Sequence, residues 1–282
     1  MQEIFKTMFL SDKICYLELT RSGSTHIHKL LKSYIPEGKQ IGHHGPAEKN
    51  IINSSRFFLG SVRNPWDWYV SVWSFGCDQG GSVWYQLTQK KVYFTQLGFF
   101  LKPWLFPYVF LQQFSKPLNR WRSLFSDAQN TDNFREWLKL LLGNSRLYDV
   151  GHGYGFSSIY KFSGLMTYLY VTLHSSRRKQ IYKNKINSKE QLVKFDKKYN
   201  FINYTIKNEN LESNFIEFLS LAKIKIDEKE KEKIYNLKRT TASSNKRNLN
   251  DYYDQECLDL VQEKEKLIID KYNYDLKKIK IR

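Results

Sequence analysis

The chain has 282 residues, 41% of them hydrophobic, with 45 Lys or Arg against 28 Asp or Glu, a formal charge of +17. This length buries a sizeable core, and one α/β domain with an insertion fits it better than two small domains. The charge directs attention to anionic partners, whether nucleotide, acidic glycan, nucleic acid or membrane surface, and does not choose among them. Cys15, Cys77 and Cys257 are odd in number and lack metal-ligand spacing, which argues against a disulfide framework and makes a reducing, cytoplasmic compartment the simpler reading.

Met1 to Leu10 has no positive patch followed by an apolar run and no small-residue cleavage site, so no signal peptide is expected. Ile14, Cys15, Tyr16, Leu17 and Leu19 form a β-prone run, and Ile27, Leu30, Leu31 and Tyr34 recur at helical spacing. Between them lies Thr20-Arg21-Ser22-Gly23-Ser24-Thr25. Strand, small-residue loop and helix in that order offer an anion the unpaired N–H groups of a helix start, two hydroxyls and a glycine that permits close approach.

Gly42-His43-His44-Gly45-Pro46 follows as a turn before the next strand. Phe57 to Val62 reads as that strand, buried, with Asn64 as N-cap and Pro65 as first residue of a helix whose apolar face carries Trp66, Tyr69, Val70 and Trp73. Arg63 leaves the strand end, and Ser71 lies eight residues on, off that aromatic stripe. Both are placed to point at one phosphate.

From Cys77 to about Tyr160 the character changes. Thirteen aromatics fall between residues 84 and 125, with prolines that interrupt any long helix. This is expected to be an inserted subdomain or lid, either a plain aromatic core under irregular loops or a platform for a sugar or other acceptor. Leu97 to Phe110 is the most apolar window; Lys102, Pro103 and Pro107 interrupt it, and it is too short to span a bilayer, so it is read as buried or interfacial. Asn133 to Leu142 reads as an amphipathic helix ended by Gly143.

The segment from Arg177 to Tyr199 carries a local excess of basic residues, a solvated face or a dock for an acidic polymer. Phe201 to Ile206 alternates as a strand, Asn210-Leu211 opens a helix, and one long helix is expected from about Asp251 to Lys271.

Leu19 to Ile27 (LTRSGSTHI) and Phe58 to Trp73 (FLGSVRNPWDWYVSVW) together resemble the sulfotransferases that use 3′-phosphoadenosine-5′-phosphosulfate (PAPS), most closely their carbohydrate-type and bacterial branch. The likeness continues at Asn208 to Leu211 (NENL) and at Ser244-Asn245-Lys246-Arg247 leading into Asp251-Tyr252-Tyr253-Asp254. It covers the fold framework but not residues 77 to 200. It implies a P-loop-like three-layer α/β/α fold with a central parallel sheet and an inserted, mostly helical, aromatic-rich region.

The resemblance also implies a site. Arg21, Ser22, Gly23, Ser24 and Thr25 would hold the 5′-phosphosulfate, Arg63 and Ser71 the 3′-phosphate, and Lys246 and Arg247 would close over the nucleotide. Arg21 stands where many members have Lys, as in the Arg-Ser-Gly-Ser run of some sugar 6-O-sulfotransferases. The expected reaction passes a sulfuryl group from PAPS to a hydroxyl, expected on a sugar of a glycan or glycolipid, and leaves 3′,5′-bisphosphoadenosine (PAP). It needs no metal. His44, or else His43, is the expected base, with His152 and His174 as reserves and with His26 and His28 in structural roles on the first helix.

Two other classes stay open. A kinase or NTPase shares the strand, loop and helix, but Gly23 has no partner glycine or following Lys. A nucleic-acid-binding protein would use the charge, yet no recognisable motif of that kind is present. Peripheral contact with an anionic membrane is a further expectation from the charge.

Overall fold

In the computed structural model, the described residues are 8–41, 47–91, 100–151, 153–183, 185–239 and 247–275. Five strands occur among them: β1 (Met8–Leu10), β2 (Ile14–Leu17), β3 (Lys39–Ile41), β4 (Phe57–Val62) and β5 (Tyr204–Lys207). The α-helices begin with α1 (Ser24–Tyr34), α2 (Lys49–Ile52), α3 (Pro65–Cys77), α4 (Gly81–Thr88), α5 (Phe106–Phe114), α6 (Leu118–Leu124) and α7 (Thr131–Leu142). They continue with α8 (Leu165–His174), α9 (Lys189–Tyr199), α10 (Leu211–Leu221), α11 (Glu228–Asn236), α12 (Leu249–Tyr252), α13 (Gln255–Lys264) and α14 (Lys266–Tyr272). The chain divides into two compact units: Met1–Asn64 with Tyr170–Ser176 and Tyr199–Ala242, and Pro65–Leu169 with Arg177–Lys198 and Ser243–Arg282.

The first unit is built on a sheet of order β3-β1-β2-β4-β5. β2, β4 and β5 are parallel, whereas β1 pairs antiparallel with both β2 and β3. The sheet is therefore mixed, not wholly parallel as the sequence led us to expect. Strand alternation assigns the two faces. Ile14, Tyr16, Leu59 and Ile206 pack under α1, α10 and α11 through Ile27, Leu31, Phe215, Phe218 and Ile234. Cys15, Leu17 and Phe58 turn to the other face, against Ile51, Ile52 and Leu173. Helical residues thus cover both faces of an α/β unit.

Gly60 in β4 lies close under the side chain of His174. A Cβ there would lie 3.3 Å from the imidazole of His174, which is fully buried with its ring 4.5 Å from that of Tyr170.

The second unit is helical and aromatic. α3 buries almost its entire circumference, Ser71 included, so the stripe read from the sequence is a helix apolar all round. Phe134 of α7 is a hub: its ring centroid lies 5.4 Å from Trp73, 5.3 Å from Tyr252 and 5.1 Å from Tyr253. The expected single terminal helix is three. Asp254 stops α12 and caps α13 by accepting from the N–H of Cys257 at 2.8 Å, and Glu265 separates α13 from α14.

The described aromatics of residues 84 to 125 do not form one core. Of the ten that are described, Trp121 and Phe125 are buried, Trp84 is half-buried, and Tyr85, Phe100, Trp104, Phe106, Tyr108, Phe110 and Phe114 are exposed. No helix among the described residues is long and apolar enough to cross a membrane.

Candidate functional site

Because β2, β4 and β5 run parallel, their carboxyl ends open along one edge of the first unit. β4 sits between β2 and β5, and the chain leaving β2 goes through α1 to β3 on the opposite flank. Where connections diverge in this way, a parallel sheet leaves a crevice at its strand ends suited to a ligand.

The loop after β2 enters that crevice. Arg21 has φ 60° and Gly23 φ 83°, both left-handed, so the backbone folds back sharply before α1 starts. Gly23 is the N-cap and supplies no side-chain cap, and the first turn of α1 holds no acidic residue. The N–H groups of His26 and Ile27 reach the Gly23 carbonyl, so those of Gly23, Ser24 and Thr25 have no intrahelical acceptor. A helix start of this kind attracts an anion.

The Arg63 guanidinium donates from Nη1 to the carbonyl oxygen of Arg21 at 3.1 Å. The two segments singled out from the sequence therefore meet at the same strand ends, with one donor of the Arg63 fork bracing the turn at Arg21. The third strand exit joins them. The N–H of Asn64 donates to Glu209 Oε1 at 2.6 Å. A Cβ on Gly23 would lie 2.5 Å from Asn208 Oδ1 and 2.8 Å from Leu211 Cδ1. The Asn-Glu-Asn-Leu stretch thus closes on the loop that precedes it by nearly two hundred residues.

Beneath the loop runs a buried relay of hydroxyls. Ser22 donates to the Leu19 carbonyl, which leaves its oxygen to accept from Ser61 at 2.6 Å, and Ser61 in turn accepts from Tyr16 at 2.9 Å. Burial pushes the Tyr16 phenol well above its ordinary range, so it stays a donor. The N–H of Ser22 also reaches Leu19 O, at 3.3 Å. Ser22 therefore has both donors engaged below the loop, while Ser24 starts α1 and Thr25 is exposed.

Carboxylates close to an anion site would repel it unless they are engaged. Glu212 is gripped by Arg239 through Nε at 2.8 Å and Nη2 at 2.6 Å, which holds its pKa below the usual range, and Arg239 Nη1 also donates to Asn208 O at 3.0 Å. His26 Nε2 lies 3.6 Å from Glu212, and burial lowers its pKa although Glu212 opposes that. His28 Nε2 lies 3.0 Å from Glu18 Oε2, with its ring against Tyr16. Both are buried in the packing of α1.

Ser71 and Arg247 belong to the second unit. Ser71 is fully buried on α3, and the exposed Arg247 donates its N–H to the Tyr252 hydroxyl at 3.1 Å. His43, His44, His152 and Lys246 lie outside the described residues. Arg239, Tyr16 and Ser61 were not anticipated. Their sequence neighbourhoods are ordinary, and only the tertiary fold brings them to the loop. No cluster of metal-ligating side chains occurs among the described residues.

One stability prediction belongs to this loop. Gly23→Ala places a side chain in left-handed backbone and against Asn208, and is expected to lower the unfolding free energy by about 1 to 2 kcal/mol. Urea denaturation measures it, and an unchanged midpoint would contradict the tight packing of this turn. Comparison with protein-family models, characterised proteins and solved structures finds no match for this chain.

Proposed function

We propose that the chain is a PAPS-dependent sulfotransferase with a P-loop-like fold, acting on a hydroxyl of a sugar in a glycan or glycolipid. The observation that carries the reading is the bond from Arg63 to the Arg21 carbonyl, which puts two cationic segments at one crevice of strand ends. A nucleotide with phosphates at both 3′ and 5′ positions asks for two such anion sockets side by side. The first is the helix start at Gly23, Ser24 and Thr25 with Arg21; the second is Arg63, to which Ser71 is added by resemblance alone. Ser22 supports the loop from below in place of ligating through its hydroxyl. Arg247, with Lys246, is assigned to the nucleotide by resemblance.

In the reaction the acceptor oxygen attacks sulfur as the bond from sulfur to the 5′-phosphate oxygen breaks and PAP departs. The hydroxyl proton passes to a base, for which His44 or His43 is proposed. Charge that develops on the leaving phosphate is met by Arg21 and by the α1 N–H groups, held in advance of the reaction. The acceptor's sugar character rests on the branch resembled.

Calorimetric titration with PAP against ATP-Mg²⁺ tests the nucleotide, and transfer of labelled sulfate from PAPS to a panel of glycans, lipids and phenols tests the reaction. PAP binding with little response to ATP is expected. Preference for ATP would make the chain a kinase or NTPase, and duplex binding that falls with salt in the absence of nucleotide affinity would make it a nucleic-acid-binding protein.

A further inference from the structure

Segment 100–116 of the second unit is built inside out. α5 turns its glutamines inward: Gln113 is buried beside Val109, and Gln112 is half-buried. Gln113 Nε2 donates to Tyr148 O at 2.5 Å, Gln112 Nε2 to Ser145 O at 3.0 Å, and Gln112 Oε1 accepts from the N–H of Tyr148 at 3.1 Å. Two buried lysines hold the ends. Lys102 Nζ donates to Phe156 O at 2.7 Å, and Lys116 Nζ donates to Gln86 O, Gln89 O and Asp149 O at 2.7, 2.9 and 3.3 Å. With all three protons of the Lys116 ammonium engaged, the segment has a fixed seat.

What faces outward is apolar. Phe100, Trp104, Tyr108, Phe110, Leu111 and Phe114 are each between 50% and 70% exposed. Phe106, Phe110 and Phe114 follow one another along the helix with ring centroids 6.1 and 6.4 Å apart. A contiguous patch of this kind on a well-anchored helix marks an interaction surface.

Charge identifies the occupant. Residues 79 to 126 contain no Asp or Glu. Exposed Lys90, Lys91 and Arg122 flank the patch in sequence, with Lys90 Nζ 5.2 Å from the Phe114 ring. The carboxylates that its neighbours do contact are paired with cations: Asp149 with Arg146, while also accepting from the Trp121 indole, and Glu136 with Arg120. An outward face of Phe, Trp, Tyr and Leu rimmed by cations has the composition of a helix that lies in a bilayer interface, and nine residues are too few to span one. A second copy of a +17 chain would bring like charge to the same rim.

We infer that α5 and the turn before it form a membrane-docking face that seats the protein on an anionic lipid surface, with the aromatic side chains among the headgroups and the basic rim on lipid phosphates. This inference rests on the second unit alone and does not depend on the nucleotide reading.

The test is flotation of the full chain with vesicles of phosphatidylcholine alone or with about 30 mol% phosphatidylglycerol. Binding to the anionic vesicles is expected, weakened as salt rises from about 0.1 to about 0.5 M. Phe110→Ser with Phe114→Ser is expected to lower the apparent partition constant about tenfold or more while the melting temperature holds, because both side chains are exposed. Lys90→Ala with Lys91→Ala is expected to reduce binding to anionic vesicles only. The inference is overturned by wild type that stays unbound, by serine variants that bind like wild type, or by a wild-type dimer in sedimentation that those variants turn into monomer without any vesicle binding.

Discussion

Glu265→Ala is expected to lower the unfolding free energy by about 3 to 5 kcal/mol, since each buried donor left without an acceptor costs about 1 to 3 kcal/mol and the neighbours recover part of it by relaxing. Glu265 is fully buried in the second unit, where its carboxylate accepts from the Tyr69 hydroxyl, the N–H groups of Met166 and Thr167 at 3.2 and 2.8 Å, and the Thr167 hydroxyl at 2.6 Å. It caps α8 from a distance, because those two N–H groups belong to the open first turn of that helix. Alanine leaves four donors without an acceptor. Even a Cβ at Gly164 would meet Glu265 Oε1, so there is no slack through which the neighbours could collapse into the gap.

The same residue makes stability depend on pH. Burial raises its pKa to about 7 against the four donors that lower it. The folded state holds this proton more tightly than the unfolded chain does. Its stabilising contribution is therefore complete below the unfolded value near 4.5 and fades as pH rises through about 7. Between about pH 5 and pH 8 the loss amounts to roughly 2 kcal/mol. Urea midpoints measured across that range should fall for wild type and flatten for Glu265→Gln, which stays neutral. A wild-type midpoint that climbed with pH would reverse the assignment.

Arg63→Ala is expected to weaken PAP binding by about 1.5 to 3 kcal/mol, the contribution of a hydrogen bond to a charged group. Here the substitution acts twice, on the proposed 3′-phosphate and on the Arg21 carbonyl that the guanidinium braces. Arg63→Lys separates the two, since an ammonium keeps the charge but not the planar fork. Calorimetry on both variants reads the difference: partial recovery by Lys assigns the effect to charge, none assigns it to the brace. An unchanged dissociation constant in the alanine variant would remove Arg63 from the site.

The parts of the fold that the sequence announced are those where local chemistry and tertiary packing agree. Phe57–Val62 is a strand between the residues predicted, and Pro65 opens α3 because its fixed φ and missing N–H suit only a helix start. Gly143 ends α7 as expected. β1 and β3 left no such trace, being three residues each and too short for alternation to register. The terminal helix was misjudged because its apolar spacing runs on across Asp254, a local N-cap to the Cys257 N–H, and across Glu265, whose partners at Met166 and Thr167 are met only after folding.

At the site, the loop and Arg63 could be read from strand and helix boundaries, whereas their mutual contact and the closure by Asn208 and Leu211 are tertiary facts. The aromatic segment shows the limit of composition. Rings that belong in a core and rings that face outward have the same letters, and only the inward glutamines and anchored lysines of residues 100–116 tell them apart.

The relay from Tyr16 through Ser61 and Ser22 to Leu19 has a kinetic corollary. A turn already fastened to the sheet from below loses little conformational freedom on capturing a ligand, so association should run in one bimolecular step with no slow rearrangement after it. Cutting the fastening with Ser61→Ala would then reveal itself in stopped-flow traces as a second, concentration-independent phase.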